Sequence, residues 1–215
     1  MPGNLSVPEA PLFSCEVVTT QIQSSMQVKI LSKETLSKNW YTLYKYTFSL
    51  TDKSGKETIL SREAYDRGNG ATILLYNREQ RTVVLTRQFR LPTLVNGNES
   101  GMLIETCAGL LDLDNAEDCI RRETEEETGY RIDHVKKVFD VYMSPGSVTE
   151  IVYFFVGEYS PKLRINGGGG VEEESEDIEV LEMGFDQAYQ MISTGEIKDA
   201  KTIILLQYAK LNDLV

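Results

Sequence analysis

Nine residues from Arg122 to Tyr130, Arg-Glu-Thr-Glu-Glu-Glu-Thr-Gly-Tyr, constrain this chain more than any other stretch. On a helix, Glu123, Glu126 and Glu127 fall at i, i+3 and i+4, so their carboxylates line one face within a turn. Arg122 lies one turn before Glu126, within reach of an i, i+4 ion pair. Gly129 then ends the helix, because the left-handed conformation that closes a helix is easiest for glycine. Three carboxylates held this close repel one another unless a cation joins them, and hard oxygen donors suit Mg²⁺ or Mn²⁺. For charged residues in general, a solvated acidic helix face is the simpler reading. The terminal glycine, together with Gly109 ahead of the helix, favours a metal site.

With 215 residues, 41% of them hydrophobic and 26% charged, the chain can bury one core and carry an appended element. Its formal net charge of −11 speaks against nucleic acid as a partner, since that affinity rests on Lys and Arg meeting phosphates. A small phosphorylated substrate stays open if a divalent ion and a few arginines reverse the sign inside a cleft. The longest apolar runs, such as Ile203-Ile204-Leu205-Leu206, are too short to span a bilayer, so no membrane partner is expected. No secretory signal is visible, and Cys15, Cys107 and Cys119 match neither a zinc pattern nor a disulfide framework. Both features point to a reducing cytoplasm. His134, the only histidine, stands near Lys136 and Lys137 in what reads as a surface loop.

Pro2, Gly3, Pro8 and Pro11 predict an extended or loosely ordered tail over residues 1–25. An N-terminal β subdomain follows over 26–66, with a hairpin of strands 41–50 and 57–66 about a turn at Asp52-Lys53-Ser54-Gly55. Two strands are not stable alone, so this piece needs the main body or a partner chain. The main body, 67–215, reads as strands at 71–76, 82–89, 103–107, 135–142, 151–159 and 178–182. Helices are expected at 116–128, 186–193 and 199–212, the first capped by Asp114 or Asn115. This order gives a mixed α/β fold with strands grouped around one central helix. Gly167 to Gly170, followed by Glu172, Glu173, Glu174, Glu176 and Asp177, reads as a mobile acidic loop, costly to fold without a nearby cation. Taken alone, that tract is also what a solvated surface loop looks like.

The string from Gly109 to Tyr130 resembles the Nudix box, G-x5-E-x7-R-E-U-x-E-E-x-G-U with U apolar. It departs from that form in its interval from Gly109 to Arg122, which is one residue short, and at Asn115, which takes the place of the early glutamate. Thr124 also stands where an aliphatic residue is usual. Outside the box, Tyr65 to Ala71, Arg87-Gln88-Phe89-Arg90, Val95 to Gly101 and Tyr142-Met143-Ser144-Pro145-Gly146 resemble the ADP-sugar branch of the superfamily, and its bacterial GDP-mannose-hydrolysing members in particular. The resemblance implies a Nudix α/β/α sandwich and Mg²⁺-dependent hydrolysis of the pyrophosphate of a nucleoside diphosphate sugar, with Mn²⁺ as a substitute. It also implies a homodimer that exchanges N-terminal hairpins.

By the same resemblance, Glu123 and Glu127 are metal ligands with the backbone carbonyl of Ala108, and Gly109 lies beside the substrate. Glu126 supports a second ion. A further catalytic acid comes from the glycine–glutamate loop, at Glu176, or at Glu174 or Glu173 because the tract is longer than the family form. Arg62, Arg90 and Lys201 match substrate contacts, as does Glu63. Trp40 stacks on the base, and Glu150 binds substrate or metal. Plainer readings stand beside these: ion pairs for Arg62 and Arg90, a core or interface anchor for Trp40, a solvated helix lysine for Lys201. An ADP-ribose pyrophosphatase would use the same metal chemistry. A non-catalytic nucleotide-sugar-binding module and an acidic cation buffer are rivals from other classes.

Overall fold

The computed structural model describes residues 26–111, 115–171 and 177–215. The expected tail, Asp114, and the acids from Glu172 to Glu176 therefore lie outside the described residues.

Strands β1 (Gln27–Lys38), β2 (Thr42–Thr51) and β3 (Glu57–Asp66) form an antiparallel sheet in sequence order. The expected hairpin is β2–β3, and Asp52 shapes its turn by accepting the N–H groups of Ser54 at 2.8 Å and Lys56 at 3.0 Å. The third strand, β1, is an addition to the sequence reading. Its side chains are almost all exposed, so no apolar alternation marks it; pairing with β2 from Gln27–Thr51 to Lys38–Thr42 holds it instead. Val28, Ile30, Leu31 and Ile59 are left exposed on this sheet. It joins the rest of the molecule through Tyr65, whose N–H donates to Ser147 O at 2.8 Å and whose carbonyl accepts from Thr149 N–H at 3.1 Å.

The main sheet comprises β4 (Gly70–Asn77), β5 (Thr82–Phe89), β6 (Met102–Glu105), β7 (Cys107–Leu110), β8 (Lys136–Tyr142), β9 (Ile151–Glu158) and β10 (Glu179–Gly184). Its path is β10-β5-β4-β9-β8, with β4 and β9 parallel. β4 and β5 pair only near their hairpin, then part, and the gap is filled by β6 on β5 and β7 on β4. The strand expected at 103–107 thus changes neighbours at Thr106. Among the described residues, four α-helices complete the body: α1 (Leu91–Val95), α2 (Ala116–Glu123), α3 (Phe185–Thr194) and α4 (Ala200–Leu211). The short α1, with Pro92 in its first turn, was not expected.

Period-two alternation splits the strand residues between two cores. Leu74, Val83, Leu85, Val152, Phe154 and Val156 pack with α3 and α4 around Phe185, Leu205 and Leu206. Ile73, Leu75, Val84 and Phe155 face the other way, toward Cys119 and Ile120 of α2 and Tyr130. Burial of each such apolar side chain contributes roughly 1.5–3 kcal/mol. The centre of the fold is therefore a sheet with helices on both faces, an α/β/α sandwich. A single central helix, the order-based expectation, is wrong because α2 covers only one face.

Candidate active site

α2 starts at Asn115, whose Oδ1 accepts the N–H groups of Glu117 at 3.1 Å and Asp118 at 3.0 Å. It does not run regularly to Thr128. At Glu123 it widens into a π-helical turn, Thr124–Thr128. Thr124 Oγ1 donates to Ile120 O and Thr128 Oγ1 to Thr124 O, and such bonds to a carbonyl four residues back loosen the regular ladder. Gly129 closes the turn at φ +78° as expected. The three glutamates differ in exposure: Glu127 is buried at 1%, the Glu123 side chain is at 14%, and the Glu126 side chain is at 34%. Arg122 Nη1 braces Glu126 at 3.1 Å, as its spacing predicts, and also meets Glu123 Oε1 at 3.0 Å.

Strand β7 lies beneath these carboxylates. Ala108 N–H donates to Glu127 Oε2 at 3.3 Å. A Cβ built on Gly109 would fall 2.1 Å from Glu123 Cδ, so only glycine leaves space for that carboxylate. Gly70, on the neighbouring strand, lies between Gly109 O and Glu150: a Cβ there would be 3.2 Å from the one and 3.5 Å from Glu150 Oε1. Glu150 also pairs with Arg67 at 3.5 Å. Ala108, Gly109, Glu123, Glu127 and Glu150 are thus brought to one end of the sheet. Burial, then the adjacent Glu127 carboxylate, push the Cys107 thiol well above its usual range.

The glycine run makes backbone contacts with the π-helical turn. Gly168, Gly169 and Gly170 all adopt positive φ, and Gly169 and Gly170 donate their N–H groups to Glu127 O at 2.9 Å and Glu126 O at 3.1 Å. Ile178 N–H returns to Gly169 O at 3.1 Å. Gly169 and Gly170 therefore lie against the turn that carries Glu126 and Glu127, and Ile178 lies against Gly169.

Arg90 and Lys201 meet elsewhere, on the carboxylate of Glu105. Arg90 Nε reaches Glu105 Oε2 at 2.6 Å, and Lys201 Nζ reaches Glu105 Oε1 at 3.1 Å and Asp199 Oδ1 at 2.7 Å. Asp199 also caps α4 through Thr202 N–H, and Thr202 Oγ1 accepts Thr106 N–H at 2.7 Å where β6 gives way to β7. Lys201 is accordingly no solvated helix lysine. Burial pulls its ammonium down, but the Glu105 and Asp199 carboxylates outweigh that and raise it above the ordinary lysine value. A raised folded-state pKa means a contribution fully present below the unfolded value and lost as pH rises through the folded one. Removing one partner of a buried pair costs about 3–5 kcal/mol. Lys201→Met is expected to lower Tm by roughly 6–20 °C, taking 2–4 °C per kcal/mol for a chain of this size. The deficit should narrow only in strongly alkaline buffer, and calorimetry across pH checks both points. The sequence reading missed Glu105 and Asp199, although an acid inside the apolar run Met102 to Cys107 is itself a sign of a buried, paired charge.

Trp40, Arg62 and Glu63 stand apart from the carboxylates, on the N-terminal sheet. Trp40 is 85% exposed in the β1–β2 turn. Arg62 and Glu63 are exposed on β3, where Arg62 Nη1 donates to Ser61 O at 2.8 Å. His134 is exposed outside any strand or helix, as expected.

Among the described residues, no three His, Cys, Asp or Glu side chains form a complete metal cage. Glu123 and Glu127 nevertheless suit a hard divalent cation. Both are oxygen donors, both lie against one strand, and the space kept open by Gly109 admits the Glu123 carboxylate.

A mixed sheet between helices, with a glutamate-bearing helix laid across a glycine-containing strand, is what this chain shares with hydrolases that act on a pyrophosphate bond. The chain belongs to the Nudix family: residues 66–206 match the NUDIX domain, and residues 27–65 match the GDP-mannose pyrophosphatase NudK N-terminal domain. It is 57% identical over 191 residues to GDP-mannose pyrophosphatases of Shigella dysenteriae serotype 1 and Escherichia coli O157:H7, covering 89% of this chain and 99% of each relative. The crystal structure of an ADP compounds hydrolase shares the fold, with a TM-score of 0.65 at 16% identity, covering 88% of this chain and 97% of that one. Among the described residues, no helix is long and apolar enough to cross a membrane.

Proposed function

We propose that this chain is a divalent-metal-dependent hydrolase of nucleoside diphosphate sugars that converts GDP-mannose to GMP and mannose 1-phosphate. The observation that carries the reading is the pair of shielded carboxylates, Glu123 and Glu127, held against Ala108 and Gly109. The choice of sugar nucleotide is supported by the similarity to enzymes named GDP-mannose pyrophosphatase. In this reading Glu123, Glu127, Glu176 and the Ala108 carbonyl hold Mg²⁺, with Mn²⁺ as a substitute. A divalent ion there would screen the diphosphate oxygens and acidify a water nucleophile. The protein's own groups do the rest. Arg122 holds Glu123 and Glu126 in place, and Glu150, close to Gly109 O, binds substrate or metal. Arg90 turns its partly exposed guanidinium to phosphate while Lys201 backs it through Glu105.

Trp40, Arg62 and Glu63 act, in this reading, on the site of a second copy. Support comes from the exposed apolar residues of β1 and β3 and from the outer edge of β1, which pairs with no strand among the described residues. Cys107 and Cys119, the two described cysteines, are buried and not joined in a disulfide, which supports the reading of a cytoplasmic enzyme.

A competition assay over GDP-mannose, ADP-ribose, ADP-glucose and UDP-sugars should give the highest kcat/KM for GDP-mannose, and EDTA should abolish turnover. A higher value for ADP-ribose would move the assignment to ADP-ribose pyrophosphatase. Tight binding of the sugar nucleotide without phosphate-bond cleavage would make the chain a binding module.

A further inference from the structure

Glu150 stands just before β9 and is held on both flanks by the chain that leads from the end of β3 into β4. On one flank, Thr149 N–H donates to Tyr65 O at 3.1 Å and Thr149 Oγ1 donates to Asp66 Oδ1 at 3.1 Å. On the other, Ile151 N–H donates to Asn69 Oδ1 at 3.0 Å. These bonds fix the backbone of Glu150 and leave its side chain to be aimed by something else. Arg67, in the same connection, reaches that side chain, with Nε 3.5 Å from Glu150 Oε1. The same oxygen shares with Gly109 O the space that a Cβ on Gly70 would take. Oxygen acceptors gathered in one place favour a cation alongside.

Arg67 is poorly suited to a purely stabilising role. Its side chain is 39% exposed, and ion pairs so open to water contribute little to folding. Its Nε is nonetheless sealed from solvent and has no hydrogen-bond acceptor among the described residues. A buried donor left unmet is costly, so it draws toward it the carboxylate that lies just beyond ordinary bonding distance. The guanidinium itself is held from behind by Tyr41. Arg67 Cζ lies 5.3 Å from the centre of that ring, which packs edge-on against Tyr65 at 5.8 Å.

We propose that Arg67 is a positioning residue for Glu150: seated on Tyr41, it holds the Glu150 carboxylate over Gly70, beside Gly109 O, and acts on the reaction through that carboxylate. The junction between the N-terminal sheet and the body thereby sets the aim of a group in the site. The proposal rests on the reading of Glu150 as a group that binds substrate or metal.

Two measurements test it: Mg²⁺-dependent hydrolysis of GDP-mannose, and a crystal structure of Arg67→Met. Methionine keeps an unbranched stem against Tyr41 and removes the charge; Arg67→Lys keeps the charge. Arg67→Met should lower kcat/KM by about 10–100-fold, the range for losing a partner behind an active-site ligand. Arg67→Lys should recover most of that loss. In a Glu150→Gln background, Arg67→Met should cost little more, because the two residues act as one unit. The crystal structure should show the Glu150 carboxylate withdrawn from Gly70 with Tyr41 in place. A methionine variant as active as the unaltered protein overturns the proposal, since packing on Tyr41 would then suffice. So does a full additional loss in the Glu150→Gln background, or a Glu150 carboxylate that stays where it is. If Arg67→Met fails to fold, Arg67→Gln takes its place in both measurements with the same expectations. Hydrolysis absent from the unaltered protein would instead overturn the functional reading, while the place of the Glu150 carboxylate would still decide whether Arg67 holds it.

Discussion

Glu127→Gln is expected to lower kcat by about 10²–10⁴-fold, the range for losing one charged group that acts on the transition state, while leaving the protein folded. The amide is isosteric, so the Ala108 N–H keeps a carbonyl acceptor where Glu127 Oε2 now stands. What disappears is a negative charge that is 1% exposed and neighbours Glu123. Without a cation, such a charge repels its neighbour and is poorly solvated, so neutralising it should leave Tm unchanged or slightly raised. Activity and stability then move in opposite directions, the mark of a residue kept for chemistry rather than for folding. Steady-state kinetics at saturating Mg²⁺, with thermal denaturation alongside, reads both. Near-normal kcat in the variant would remove Glu127 from the chemistry.

What could be read from the sequence and what could not separate along a physical line. Strands β4, β5, β8, β9 and β10 and helices α3 and α4 fall within a residue or two of their expected places, because apolar period and local turn chemistry encode them. The acidic helix and its terminal glycine were legible for the same reason. Features that depend on a distant partner were not. β1 exists through its pairing with β2 and has little buried surface to betray it. The break at Thr106 follows from two strands parting, and the π-helical turn from threonine hydroxyls taking backbone carbonyls. Lys201 and Glu105 are 96 residues apart, and their meeting depends on α4 docking against the sheet. Composition did not foretell that positive φ at Gly168 to Gly170 lets two N–H groups reach the carbonyls of Glu126 and Glu127. Local chemistry thus placed the acids on one helix, and tertiary packing decided which of them are buried.

Gly109→Ala should cut activity by about 10²-fold, the scale of an ångström's misplacement in an active site, with little loss of stability. Gly109 pairs with Ala71 in the sheet at an ordinary backbone conformation, so alanine brings no backbone strain and stiffens the unfolded chain slightly. Its Cβ, however, would lie 2.1–2.4 Å from Cδ, Oε1 and Cγ of Glu123. These are the far atoms of a flexible side chain, so the clash is relieved by swinging the carboxylate away rather than by moving the sheet. The consequence falls on metal binding: half-saturation by Mg²⁺ should rise together with the loss of kcat. Gly129 makes the opposite comparison within the same box. There φ is +78° and a Cβ would meet Asn166 O at 2.4 Å and Gly168 N at 2.8 Å, backbone atoms that cannot step aside. Gly129→Ala should therefore lower Tm, whereas Gly109→Ala should lower metal affinity at nearly constant Tm. An alanine at position 109 that left both the Mg²⁺ curve and kcat intact would show that the Glu123 carboxylate need not stay where the glycine lets it rest, and would take Glu123 out of the metal site.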